Sequence, residues 1–140
     1  MPQALLRKDF DAADAIVERY KALFGDDYYI EIQDHNIRDQ KTVLPYLVEI
    51  ARRHNVKLVA TNDVHYLNKR DATAQKVLQC ISFRTTMATD DDGDAVGLAD
   101  GGVDDNGYFP TKEFYLKSGD EMTALFPVSY THLTLPTTPY

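Results

Sequence analysis

Apolar positions along the first half of the chain switch repeatedly between two spacings. Over "KDFDAADAIVERYKALFG" the residues Phe10, Ala13, Val17, Tyr20 and Phe24 recur at the period of a helix with one buried face. Asp9 stands where an N-cap belongs and Gly25 where a helix stops. "DYYIEIQD" then alternates, and Tyr29, Ile30 and Ile32 suit a pleated strand. Helical spacing returns in "QKTVLPYLVEIARRHN", where Val43, Leu44, Leu47, Val48, Ile50 and Ala51 form a broad apolar face. Pro45 lies inside that pattern and can donate no backbone hydrogen bond, so the helix is expected to begin or kink near it. "VKLVAT" is a nearly unbroken apolar run, the pattern of a strand buried on both faces. "RDATAQKVLQCI" reads as a further helix with Ala74, Val77, Leu78 and Ile81 inward.

The order α-β-α-β-α predicts an α/β fold with parallel strands and covering helices. Two strands do not complete a sheet of ordinary size, so the pattern describes an incomplete one. Residues 85–108, rich in Asp and Gly, read as a long loop or insertion. "EFYLKS" is a short strand-like piece, and Ser118-Gly-Asp-Glu121 fits a capping box opening the helix "DEMTALF". Residues 128–140 are different in kind: they hold prolines and threonines but no carboxylate, lysine or arginine. Within them "VSYTHLTLPT" resembles a translated sequencing adapter, so this tail is expected to be non-native and His132 receives no functional weight.

Composition narrows the class. At 140 residues, 44% hydrophobic and 11% aromatic, the chain is one domain's worth of globular protein. Its net charge is −7, and seven aspartates against one arginine between Arg84 and Tyr108 account for −6 of it. Such a balance argues against a nucleic-acid groove formed by this segment alone, because phosphate binding needs a basic surface. The single cysteine, Cys80, excludes an internal disulfide and suits a reducing compartment. No apolar run approaches the roughly 20 residues of a membrane helix, and no signal-peptide pattern opens the chain. The expected location is cytoplasmic, with no membrane partner.

Chemistry concentrates in "TNDVHYL". Asp63 and His65 stand two apart, so in extended backbone both point to one side, and a carboxylate and an imidazole there can share one divalent ion. They follow a strand, at the end where α/β folds hold their sites. The other reading has Asp63 capping the following turn and His65 packing beside Tyr66. Spacing alone leaves both open, and two ligands are too few for a tight site. His35, past the first strand and after Glu31 and Gln33, reads as a solvent-exposed loop histidine or a rim residue. His54 ends a helix beside Arg52 and Arg53, where positive groups favour the dipole. Cys80 falls on an apolar helix side and reads as core. The aspartate cluster fails the EF-hand frame for want of a glycine at its sixth place. No dinucleotide, Walker A or nucleophile-elbow motif is present.

Taken together, "FGDDYYIEIQDHN", "KLVATNDVHYLNKRDATAQKVLQCI" and "EFYLKSGDEMTALFP" resemble the bacterial replicative DNA polymerase III alpha subunit. The similar region is the later part of its N-terminal PHP (polymerase and histidinol phosphatase) domain, here residues 1–127. The resemblance implies a partial, distorted β/α barrel with a divalent metal cluster (zinc, manganese or iron) at the carboxyl ends of its strands. It maps two ligands of that cluster onto Asp63 and His65, with the others lying outside this segment. It also implies that the polymerase active site is absent here, so the chain alone is expected to be inactive. The parent would be a DNA-directed DNA polymerase, a nucleotidyltransferase of DNA replication. Its partners would be DNA and other replicase subunits, including the proofreading exonuclease. The acidic stretch 85–108 looks longer than the family's loop there. Two rivals share the D-x-H motif: a free-standing PHP phosphoesterase such as a histidinol phosphatase, and a non-catalytic scaffold. The "EFYLKSGDEMTALFP" block is not expected in the first.

Overall fold

The computed structural model describes residues 1–84 and 109–126, with the backbone of 133–134. The elements in chain order are α1 (Pro2–Leu6), α2 (Phe10–Phe24), β1 (Tyr29–Ile32), α3 (Arg38–Arg53), β2 (Lys57–Ala60), α4 (Ala72–Phe83), α5 (Gly119–Leu125) and β3 (Leu133–Thr134). The sheet is parallel throughout, in the order β1-β2-β3, so the α/β expectation holds. The acidic stretch 85–108 lies outside the described residues. So does the 128–140 tail, apart from β3, whose Leu133 and Thr134 pair with Leu58 and Val59. The chain divides into two compact units, one of Met1–Asp34, Asp39–Thr61 and Gly119–Tyr140, the other of His35–Arg38 and Asn62–Ser118.

The first unit is built on β1 and β2, in register from Tyr29 opposite Lys57 to Ile32 opposite Ala60. Ile30, Ile32, Leu58 and Ala60 are buried with Leu5 of α1, Ala13 and Val17 of α2, and Val43, Leu47 and Ile50 of α3. Each large aliphatic side chain so buried contributes about 1.5–3 kcal/mol. All of these residues meet on one side of the sheet. Tyr29, Glu31 and Lys57 point away and are exposed, and Val59 is half-buried. Among the described residues the apolar run of β2 is therefore buried on one face, not two, the face on which α1, α2 and α3 pack.

Helix boundaries follow local chemistry. The Asp9 carboxylate accepts a hydrogen bond from the Ala12 N–H at 3.1 Å, capping α2. Gly25 ends it at φ +56°, a conformation that a side chain would strain. Ala13 and Val17 reach the core, but Phe10, Tyr20 and Phe24 are exposed, so the buried stripe is narrower than the spacing predicts. Tyr20 instead stacks on Phe24 and Tyr28, at 6.2 and 5.8 Å between centroids. α3 begins at Arg38, well before Pro45, and continues through it. Its expected apolar face is the one observed to be buried. Past its end, His54 Nε2 lies 2.8 Å from the Asp14 carboxylate of α2, which also receives Arg53.

In the second unit, α4 has turned a different face inward. Ala72, Lys76 and Cys80, one turn apart, are buried. Ala74, Val77, Leu78 and Ile81, expected inside, are exposed. Periodicity defines a stripe, whereas packing partners decide which stripe is covered, and the described part of this unit covers the side of Ala72 and Cys80. Cys80 is core, as expected.

Candidate functional site

β2 ends at Ala60, and within the first unit its exit is closed by polar contacts. The Thr61 N–H donates to the Ile32 carbonyl, and the Thr61 hydroxyl to Glu31 at 2.5 Å, while Gln33 donates to Thr61 Oγ1 at 3.0 Å. Glu31, Gln33, Gln40 and Val43 also line a shallow cleft of this unit with Pro2 and Leu47.

The D-x-H loop belongs to the second unit, where the two side chains do lie close together. The Asp63 carboxylate is 56% exposed and the His65 imidazole 35%, with Asp63 Oδ1 3.9 Å from His65 Nδ1. His65 Nδ1 is also 2.8 Å from the Asp63 backbone carbonyl. A carbonyl oxygen only accepts, so this contact places a proton on Nδ1, and in the neutral ring the lone pair is then on Nε2. That is the tautomer in which Nε2 ligates a metal, with the other nitrogen oriented by a backbone acceptor. The pair thus suits part of a donor set. Among the described residues no group of three or more His, Cys, Asp or Glu comes together, and a metal centre needs three or four protein donors.

The imidazole of His65 packs on Phe109 at 4.4 Å between centroids and meets the edge of Phe114 at 5.9 Å. The turn that follows is closed by Asn68 and Asp71, whose side chains bond each other's backbone or amide. Those hydrogen bonds from Asn68 hold the Asp71 carboxyl below its usual value. His35 is not a solvent-exposed loop residue: it is 1% exposed, its ring stacked on Phe114 and its carbonyl accepting from the Thr111 hydroxyl. The aromatic residue that buries it lies far along the chain, so no local pattern announced it.

Residues 113–117 hold the loop in place. The "EFYLKS" segment runs beside "TNDVHY" as a parallel bridge between Tyr66 and Tyr115. The His65 N–H donates to the Phe114 carbonyl at 2.8 Å, and the Leu116 N–H to the Tyr66 carbonyl at 2.9 Å. Asn62 donates to the Tyr115 carbonyl and accepts from Lys117 Nζ at 3.2 Å. The Lys117 side chain is only 2% exposed. Its ammonium also donates to the Glu113 carbonyl, lies 3.4 Å from the Glu113 carboxylate and sits over the Tyr115 ring. Lys69 pairs with the same carboxylate. Burial pushes the Glu113 carboxyl up, but the hydrogen bond from Lys69 and the charge of Lys117 outweigh it and hold it below its usual value. The available signal was the alternation Glu113, Tyr115, Lys117, which puts all three on one side of an extended segment.

No family model matches the chain. Individual relatives do. The chain is 40% identical over 128 residues to DNA polymerase III subunit alpha of Treponema pallidum, a match covering 91% of this chain and 10% of that protein. It is 39% identical over 127 residues to the subunit of the same name from Thermus aquaticus, with 91% of this chain and 9% of the relative covered. The Deinococcus radiodurans protein of that name is 40% identical over 128 residues, covering 91% of this chain and 8% of the relative. The chain therefore spans about a tenth of the length of these relatives. No described helix is long and apolar enough to cross a membrane. Over nine-tenths of its own length, then, this chain is similar to one segment of DNA polymerase III subunit alpha.

Proposed function

We propose that this chain is a segment of the PHP domain of a replicative DNA polymerase III alpha subunit, and that it serves metal binding and scaffolding rather than nucleotide incorporation. The observation that carries the reading is the match along 91% of the chain to subunits of that name. Two parallel strands joined through a helix, β1-α3-β2, are the repeating unit of a β/α barrel, which supports a partial PHP-type barrel. In the parent, the partners are DNA and other replicase subunits, among them the proofreading exonuclease.

Asp63 and His65 are the two ligands this segment supplies to a divalent ion, zinc, manganese or iron, and the remaining donors come from outside the described residues. An ion held there would activate water and neutralise phosphate charge. The chain's own part is to present the Asp63 carboxylate to solvent and to engage His65 through Nδ1, so that Nε2 is the ring nitrogen that faces a metal. Elemental analysis of the full-length subunit checks the assignment: Asp63→Asn with His65→Ala lowers bound metal, and unchanged stoichiometry removes both residues from the ligand set. Primer extension checks the rest. The segment alone incorporates no nucleotide, and extension by it would overturn the proposal.

A further inference from the structure

One short segment, residues 113–117, grips the D-x-H loop on both flanks. On the near side Asn62 is bonded through both ends of its amide, to the Tyr115 carbonyl and to Lys117. On the far side the His65 N–H and the Tyr66 carbonyl are paired with Phe114 and Leu116. Between these anchors lie Asp63 and Val64, both exposed. A loop pinned at each end has few conformations left to lose when it takes up a ligand, which is the physical meaning of preorganisation.

Lys117 is the unusual member. A lysine is seldom buried, and a desolvated ammonium is tolerated only where hydrogen bonds and an opposite charge compensate it. Here the Glu113 carboxylate supplies the charge and the Glu113 carbonyl and Asn62 Oδ1 supply acceptors. Glu113 is shared with Lys69, so the carboxylate is fixed from two directions. A methionine or leucine would fill the same space without charge, but only a donor can bond Oδ1 of Asn62, the residue next to Asp63.

We propose that Lys117, acting through Asn62, is the positioning residue of the Asp63–His65 pair: it sets the loop so that the pair is formed before any ligand arrives. The consequence for metal binding rests on the ligand reading given above, whereas the ordering of the loop does not. Lys117→Met keeps the aliphatic stem and removes the donor. Asn62→Ala removes the amide and leaves Lys117 on Glu113.

The test has a metal-free arm and a metal arm. In the full 140-residue chain without metal, imidazole nitrogen shifts report the His65 tautomer and hydrogen exchange reports its amide. Both variants should mix the tautomers and speed His65 exchange by about 10-fold, while the Ile32 and Leu58 amides keep their protection. In the full-length subunit carrying this segment, zinc affinity should fall on the order of 10- to 100-fold, the usual effect of removing a group that orients a ligand. A single Nδ1–H tautomer and unchanged exchange in both variants would overturn the proposal, as would a freed loop with unchanged zinc affinity in a subunit whose zinc is lost on Asp63→Asn with His65→Ala. If Lys117→Met does not fold, Asn62→Ala decides alone. If the full-length subunit binds no more zinc than its Asp63→Asn, His65→Ala form, yet the variants free the loop, the ligand reading fails and the positioning of the loop stands.

Discussion

His35 and Phe114 lie face to face, their ring centroids 4.2 Å apart and their planes 6° from parallel. The same phenylalanine presents its face or edge to Phe109 and His65, so it is the common contact of the two histidines. Phe114 is also 5% exposed, the most buried large apolar side chain described in its unit. Phe114→Ala is expected to destabilise that unit by about 3–5 kcal/mol, the usual loss for a buried phenylalanine. Phe114→Leu, closer in volume, should cost about 1 kcal/mol but still lose the stacking. Urea unfolding followed at the His35 and His65 ring protons checks both. Equal effects of the two substitutions would show that volume loss is not what matters here.

Glu113 makes the same unit acid-sensitive. Its carboxyl is held below the ordinary value of 4.5 by the hydrogen bond from Lys69 and the charge of Lys117, against the upward push of burial. A group depressed in the folded state binds protons less readily there than in the unfolded chain. Its stabilisation is therefore fully present above about pH 5 and is lost as pH falls through 4.5 toward the folded-state value. Protonation leaves the Lys117 ammonium without its counter-charge. Glu113→Gln should imitate the acid state at neutral pH, costing about 2 kcal/mol, below the full figure for a buried pair because Glu113 retains 20% exposure. A pH titration of unfolding free energy should be flatter below 5 in the variant than in the parent chain.

In the first unit the analogous tie is between helices. The Asp14 carboxylate of α2 receives Arg53 at 2.6 Å and His54 Nε2 at 2.8 Å past the end of α3. The carboxylate keeps 23% exposure, so screening reduces the worth of these contacts. Asp14→Ala should cost about 1 kcal/mol, and the difference from the parent chain should shrink as salt is raised to about 1 M. A loss that does not respond to salt would assign the effect to packing of α2 instead. The helix dipole explains why a histidine suits this position, but the short contact to Asp14 adds a specific partner.

Local rules made much of this protein legible. Asp9 and Gly25 mark the ends of α2 because capping and positive φ are properties of single residues. The broad stripe of α3 and the alternation of β1 are periodic signals, and both are buried as written. The likeness to DNA polymerase III subunit alpha was legible as well, because it resides in the order of residues and not in coordinates.

Tertiary structure decided the rest, for reasons that no window of sequence contains. Which side of α4 is covered depends on what packs there, so Lys76 and Cys80 went in and Leu78 and Ile81 stayed out. Whether the apolar run of β2 is covered once or twice depends on where the helices gather. His35 is buried because Phe114 comes to it across the fold. Spacing alone brought Asp63 and His65 into consideration as a pair. Only the fold brought Lys117 to Asn62, and with it the physical reason that the pair is held in place.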